Sequence, residues 1–344
     1  MLRVEFFDTV HEARPVSAEE RARSGIELSL VIPCFNTAEY LPDTMRSLRA
    51  LEGLEKYEFI FINDASTDMT AQLLDELAPS LPNSRVVTHS VNRGLAEARN
   101  TGLDQARGRY IAFLDPDDYV ASDFYAVLLD AIKTLGVDFV RTDHVKFEGH
   151  KRHIIRVPFG PAWEPFDSRE GLHPFDDRTA VDYTYAWAGI FDAKLIDNGL
   201  LYFMPNLQTC EDRSWMMRLH LMSDRFAVIP HPGYFYRRGL QGSLSMVGDE
   251  RQFDFVRAMR QGVEDAMASS DPDKYVPKAI RNYLVIMVHH LNTTSRYTPE
   301  LAAKLPELCR EGLYKLPSGR LLESLRDFDD KRARRILNTM GVVK

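Results

Sequence analysis

The stretch Tyr110-Ile111-Ala112-Phe113-Leu114-Asp115-Pro116-Asp117-Asp118-Tyr119 decides how this chain is read. It opens as five nearly apolar residues and then breaks into acid and proline. An apolar run of that length ending in turn residues reads as a strand buried on both faces, the kind found inside a parallel sheet. Three carboxylates crowded at its carboxyl end repel one another and favour protonation. A divalent cation removes that conflict, because hard ions such as Mg2+ or Mn2+ take oxygen ligands from one or two carboxylates plus substrate phosphates. An acidic surface turn is the other reading of the same residues. The neighbouring segments decide between the two.

The same grammar recurs upstream. Leu28 to Ile32 is an apolar run ending in Pro33-Cys34-Phe35-Asn36, and Phe59 to Ile62 ends in Asn63-Asp64. Arg85 to Thr88 is a weaker run, followed by Asn92-Arg93-Gly94. Between the runs, Tyr40, Leu41, Met45, Leu48 and Leu51 recur at helical spacing. So do Leu73, Leu74 and Leu77, behind an N-cap expected at Ser66 or Thr67. Leu95 to Ala106 reads as a third helix, closed by Gly108. Strand, helix, strand, helix predicts an α/β fold with a mostly parallel sheet and right-handed crossovers. Ligands of such sheets bind outside the carboxyl ends of the strands, and all four runs place their polar residues there.

At 344 residues, 44% hydrophobic and 27% charged, the chain has material for one large or two ordinary cores. Lysine plus arginine (43) against aspartate plus glutamate (50) leaves a formal charge of −7, so no nucleic-acid partner is expected. Cys34, Cys210 and Cys309 are far apart and lack metal-ligand spacing, as suits a reducing compartment. No apolar segment approaches the ~20 residues that span a bilayer, and acids interrupt the N-terminal apolar patch, unlike a secretory signal. A cytoplasmic protein is expected, with at most a peripheral membrane contact at the inner face.

Residues 1–26 are charged and read as an extension packed loosely on a main domain of residues 27–249. Beyond about Gln252, stripes of helical spacing take over: Phe253, Val256 and Met259, then Tyr283, Leu284, Met287 and Leu291. Leu321, Leu322 and Leu325 begin a third stripe, with Ile336 near its far end. Residues 250–344 are therefore expected to form a small α-helical domain. The pair His289-His290 lacks partners at zinc spacing and reads as structural. Lys331, Arg332, Arg334 and Arg335 give the last helix a basic face, either solvated or set against acidic lipid or an anionic acceptor. The C-terminal helices also offer a surface for a homo-oligomer.

Five segments stand in a recognisable order and spacing: VIPCFNTAEYL from Val31, INDASTD from Ile62, NRGLAEARNTGL from Asn92, GRYIAFLDPDDYV from Gly108 and CEDRSWMMRL from Cys210. Over roughly residues 27–245 the chain resembles the family 2 glycosyltransferases, of the type that makes bacterial cell-surface polysaccharide and teichoic acid. The resemblance implies a GT-A fold, Rossmann-like with flanking helices. It also implies a nucleotide-sugar donor, an Mn2+ or Mg2+ cofactor and inversion at the anomeric carbon. One departure is visible. The second strand of relatives more often ends in two aspartates, whereas here it ends in Asn63-Asp64; the position associated with the nucleotide base matches Asp64, which is kept.

Chemistry can be laid beside each implied role. Asp64 can accept the imide N–H of uracil, which points to a UDP-sugar donor. Phe35 is placed to pack on the base, with the main chain near Pro33 close to it. Asn36 either fixes the turn or touches the ligand. Asn92 and Gly94 precede a helix whose N-terminus favours anions, and Arg99 within it either faces the nucleotide and the aspartates or makes a surface salt bridge. Asp115 and Asp117 are expected to contact the ribose and the metal, with Asp118 as a further metal ligand or as support. The ion would offset charge building on the leaving diphosphate. On the acceptor side, Trp187 is a stacking platform for a sugar or a core residue, and Glu211 an orienting group. Asp212, at the start of a helix from Arg213 to Met222, is either a helix-dipole cap or, as the family implies, the general base. Arg237 and Arg238, next to Gly239 and the Gly242-Ser243-Leu244-Ser245 segment, are candidates for the diphosphate.

The expected activity is transfer of a sugar from a UDP-sugar to a hydroxyl of a glycan, polyol-phosphate or lipid-linked acceptor. A sugar nucleotidyltransferase would need a glycine-rich basic loop after the first strand, and PCFNTAEY is not one. A non-catalytic nucleotide-sugar sensor needs no base, so the presence of Asp212 beside Asp115 and Asp117 speaks against it.

Overall fold

The apolar runs lie in the middle of a sheet. In the structure, a computed structural model describing residues 15–240 and 247–342, β1 (Leu28–Cys34), β2 (Tyr57–Asn63) and β4 (Tyr110–Phe113) are buried along their whole length. β3 (Ser84–Thr88), the run with weaker apolar character, is half-exposed and forms the edge. These four strands are mutually parallel, in the order β3-β2-β1-β4. The crossovers carry α2 (Leu41–Arg49), α3 (Thr70–Leu77) and α4 (Leu95–Gln105). Gly102 lets α4 lie against β1, since a Cβ there would stand 2.2 Å from Val31 Cγ1.

Beyond β4 the sheet becomes mixed. β5 (Tyr119–Val120) leads to α5 (Phe124–Leu135), followed by β6 (Phe139–Thr142), β7 (His144–Glu148), β8 (Lys151–Ile155) and β9 (Phe166–Asp167). Then come β10 (Gly189–Asp192), α6 (Lys194–Asp197), β11 (Arg225–Ile229) and β12 (Tyr234–Arg237). The large sheet has eight strands in the order β3-β2-β1-β4-β10-β6-β11-β9, with β10 antiparallel to both neighbours. A second sheet of four strands runs β5-β12-β7-β8.

The chain divides into two compact units. Residues 15–168, 185–206 and 223–240 make the sheet unit just described. Within it α1 (Ala18–Arg23) is anchored: Arg21 is 6% exposed, donates to the Val16 carbonyl at 2.5 Å and pairs with Asp197. The segment expected to pack loosely is therefore tied down over residues 15–24, because an arginine that leaves water needs an acid and a carbonyl to receive it.

Residues 169–184, 207–222 and 247–342 make the second, helical unit. It contains α7 (Glu211–Met222), α8 (Asp254–Met267), α9 (Pro272–Asn292), α10 (Pro299–Tyr314), α11 (Ser318–Ser324) and α12 (Asp330–Met340). Two details differ from the sequence expectation. α10 was not singled out, although Leu301, Leu305, Cys309 and Leu313 are buried on one face; Pro299 and Pro306 obscure its pattern, the first being a favourable helix opener. The stripe beginning at Leu321 is two helices, because Asp329 caps a new start by accepting the Arg332 N–H at 2.9 Å. Leu322 is 58% exposed and outside the core. His290 is structural: it stacks on Phe255 at 4.2 Å, its Nδ1 lies 2.6 Å from the Tyr297 hydroxyl, and burial pushes it down to about 3.

Candidate functional site

Strand order reverses between β1 and β4, the place where open α/β sheets hold their ligands. On the β1 side Phe35 is 47% exposed, an aromatic face turned out of the core. Asn36 takes a left-handed conformation (φ 52) that asparagine tolerates better than most residues. Its Oδ1 accepts the Thr67 N–H at 2.8 Å and its own N–H donates to Ser66 Oγ at 3.1 Å. The Ser66 N–H in turn donates to Asn63 Oδ1 at 3.1 Å. These bonds tie the ends of β1 and β2 together and occupy the groups expected to cap α3. The N–H of Thr70, which opens α3, donates instead to Asp68 Oδ1 at 2.9 Å, and the N-cap residue itself is Met69.

At the end of β2, Asp64 is 2% exposed. Its Oδ1 accepts the Arg93 N–H at 2.8 Å and lies 2.7 Å from His89 Nδ1, while Oδ2 accepts the Gly94 N–H at 2.8 Å. His89 Nε2 is 3.0 Å from the Thr101 hydroxyl. Asn92 is exposed and donates from Nδ2 to the Asp64 carbonyl at 3.3 Å. Asp64 thus shapes the loop that begins α4, where Gly94 is the cap residue with φ 89. A carboxylate offers about four acceptor positions, and three are filled. His89 was missed in the sequence, although it lies just past the carboxyl end of β3, where polar residues carry weight.

The Asp115–Asp118 turn is pinned by three residues. The Thr44 hydroxyl of α2 lies 2.7 Å from the Pro116 carbonyl and 2.8 Å from that of Asp118. Arg237 Nε donates to the Asp117 carbonyl at 2.9 Å. The Tyr234 hydroxyl accepts the Asp115 N–H at 3.2 Å and donates to Asp118 Oδ2 at 2.9 Å, and the Arg237 N–H reaches Asp118 Oδ1 at 2.7 Å. Asp118 is therefore wholly buried with both oxygens engaged. It supports the turn, and its expected place among the metal ligands is corrected on that ground. Burial first, then the charges of Asp117 and Asp115, holds it far above the usual carboxylate range.

Asp115 and Asp117 are the half-buried acids of this turn. Asp115 Oδ1 accepts from Arg99 Nη2 at 3.0 Å. Arg99 is 3% exposed, with its guanidinium carbon 5.1 Å from the Phe203 ring and 5.9 Å from that of Phe113. It is a buried positioning group, not the surface salt bridge that the sequence also allowed. Asp117 is pushed up to about 6, first by burial and then by repulsion from Asp115. Arg237 is wedged between Tyr40 (5.3 Å) and Phe147 (5.1 Å) and clamps the turn. Arg238 Nη1 donates to the Tyr236 hydroxyl at 2.9 Å.

Trp187 is 3% exposed and its ring is stacked on Tyr234 at 4.0 Å and 8°. With that face taken it is built into the core, and the expected sugar-stacking role is corrected. In the helical unit, Cys210 has φ 60 immediately before α7, and Glu211 (7% exposed) and the half-buried Asp212 occupy the first turn. The Gly242–Ser245 segment lies outside the described residues. Among the described residues no three His, Cys, Asp or Glu side chains converge as a ready metal cage.

Comparison with known proteins bears on this geometry. Residues 29–197 match the model of "Glycosyl transferase family 2". The uncharacterized glycosyltransferase EpsJ of Bacillus subtilis is 25% identical over 61% of this chain and 60% of its own. Poly(ribitol-phosphate) beta-N-acetylglucosaminyltransferase TarS of Staphylococcus aureus is 27% identical over 68% and 39%, and the minor teichoic acid biosynthesis protein GgaB of B. subtilis 36% identical over 64% and 24%. The chain thus spans less than two thirds of the length of these relatives. The crystal structure of S. aureus TarS 1–349 in complex with UDP-GlcNAc superposes with a TM-score of 0.72 at 18% identity, covering 92% of each chain, and shows that the fold is GT-A-like. Residues 29–197 thus form a glycosyl transferase family 2 domain within this chain.

Proposed function

We propose that this chain is an inverting, metal-dependent glycosyltransferase. It moves a sugar from a UDP-sugar to a hydroxyl of a glycan, polyol-phosphate or lipid-linked acceptor in cell-surface polysaccharide synthesis. The observation that carries the reading is Asp117. A partly buried carboxyl held near about 6 by burial and by Asp115 is a donor pair short of positive charge, at the switch point of the sheet. Two carboxylates together with a diphosphate form the oxygen set that Mg2+ and Mn2+ accept. Bound there, the ion would act as a Lewis acid on the departing diphosphate.

The remaining roles fall to the chain's own groups. Phe35 packs on the base, and the one acceptor position left on Asp64 takes the uracil imide N–H. Arg99 orients Asp115, while Thr44, Tyr234 and Arg237 keep the turn from moving when it takes the load. Asp212 accepts the proton of the acceptor hydroxyl as its oxygen attacks the anomeric carbon from the side opposite the leaving UDP. An aspartate can do this when the proton moves late in the displacement. The poly(ribitol-phosphate) named for TarS and the UDP-GlcNAc in its crystal structure support a UDP-sugar and keep a polyol-phosphate acceptor among the choices.

Thermal-shift measurements with UDP, GDP and CDP, each with Mn2+ and with chelator, test the donor half. A shift that is largest with UDP and needs the ion is expected. Donor hydrolysis by Asp212→Asn tests the other half: nucleotide binding is kept and turnover falls by about 10^2–10^4. Equal turnover of the two proteins would remove Asp212 from the chemistry, and equal shifts with the three nucleotides would remove the role of Asp64.

A further inference from the structure

From Gly149 to Trp163 the chain contains no acid, while Lys151, Arg152 and Arg156 stand there with His150 and His153. Such a run is conspicuous in a chain of formal charge −7. β8, which carries most of it, is the edge strand of the second sheet, and residues Lys151 to Ile154 are exposed on both faces. Arg152 lies over the Phe147 ring at 4.7 Å, Lys151 stands opposite Glu148 in the hairpin, and Arg156 is near enough to Asp143 to favour its charged form, so the basic groups outnumber the acids beside them. Ile154, one residue from the end of the strand, is 57% exposed. Trp163 is 50% exposed and is fixed by its N–H to the Val228 carbonyl at 2.9 Å.

We propose that the β7–β8 hairpin and the loop after it form a peripheral docking surface for an anionic lipid bilayer. Edge strands are often guarded by charge against pairing. That accounts for Lys151 and Arg152, but a bare isoleucine is what such guarding removes. A second copy pairing along β8 would bring two basic strands within ~4.8 Å of each other, and like charges set opposite one another disfavour it. A soluble polyanion would reward the cations and gain nothing from Ile154 or Trp163. A bilayer interface rewards both: the basic heads meet lipid phosphates, and the isoleucine and indole enter the headgroup boundary. No helix among the described residues is long and apolar enough to cross a membrane.

The test is co-flotation of the full chain with vesicles of phosphatidylcholine alone or with about a third phosphatidylglycerol. Binding to the anionic vesicles only, weakened by high salt, is expected. Each Lys or Arg near such a surface contributes about fivefold in partitioning, so the combined Lys151→Gln, Arg152→Gln, Arg156→Gln variant loses roughly a hundredfold. Ile154→Ser, a change at an exposed site that leaves thermal unfolding unaltered, lowers partitioning several-fold at unchanged charge. Three outcomes overturn the proposal. One is partitioning indifferent to lipid charge or to the triple variant. Another is soluble polyphosphate bound as tightly as vesicles, with Ile154→Ser silent. The third is a concentration-dependent dimer that the hairpin variants abolish.

Discussion

Replacing Tyr234 with phenylalanine removes one oxygen atom and keeps the ring that stacks on Trp187 at 4.0 Å, so the change isolates the hydroxyl. That hydroxyl serves two partners separated from it by more than a hundred positions: it accepts the Asp115 N–H at 3.2 Å and donates to Asp118 Oδ2 at 2.9 Å. The site is fully buried, so water cannot take over either role. With Asp118 held toward its neutral form, each of the two bonds contributes about 0.5–1.5 kcal/mol, which predicts a loss of about 1–3 kcal/mol. For a unit of this size that corresponds to a midpoint lower by on the order of 2–12 °C. Urea unfolding followed by circular dichroism measures the change directly. A double-mutant cycle with Asp118→Asn should return a coupling of at least about 1 kcal/mol, as expected for residues in contact. A loss under about 0.5 kcal/mol, or strictly additive mutants, would mean that the hydroxyl does not hold the Asp115–Asp118 turn.

Two further outcomes follow from the same region. Asp117 sits near about 6 in the folded chain against an ordinary 3.8, so the folded state binds more protons than the unfolded state between about pH 4 and 6. Its contribution to stability is therefore lost as pH rises through that window. Manganese binding runs the other way, because a ligand carboxylate must be ionised. In titration calorimetry with UDP present, affinity should be level above about pH 7 and fall by up to tenfold per pH unit below about 6, and a level profile down to pH 5 would contradict the assignment. At the other end of β1, a Cβ on Gly108 would lie 2.5 Å from the Ser29 backbone nitrogen. Gly108→Ala should destabilise by about 1–3 kcal/mol in the same unfolding assay.

The strand-and-turn grammar of the first half was legible because it is local. Apolar runs such as Leu28 to Ile32 report burial on both faces, and residues that end them report the rim, so Phe35, Asp64, Asp115 and Asp117 could be named from the sequence. The helical tail was legible as a class, but not in its parts: Pro306 hid α10, and a stripe carried across Asp329 merged two helices into one. The caps of α3 were misplaced for a physical reason of another kind. Ser66 and Thr67 are good capping residues in isolation, and a neighbouring strand end, through Asn36, had the stronger claim on them.

Residue order alone determined the carboxylates at the end of a buried strand, the parallel crossovers around them and the family that the domain at residues 29–197 matches. Only the folded chain decided what each acid is free to do. Asp118 and Asp117 are adjacent and chemically identical, yet Tyr234 and the Arg237 N–H consume one while the other stays half-buried. Trp187 is withdrawn from ligands by the same Tyr234, and Arg99 is carried inward to Asp115 between two phenylalanine rings. Periodicity records whether a side chain is buried. Which partner it meets depends on strand order, and β12 pairs with β5 although the two are far apart in the chain.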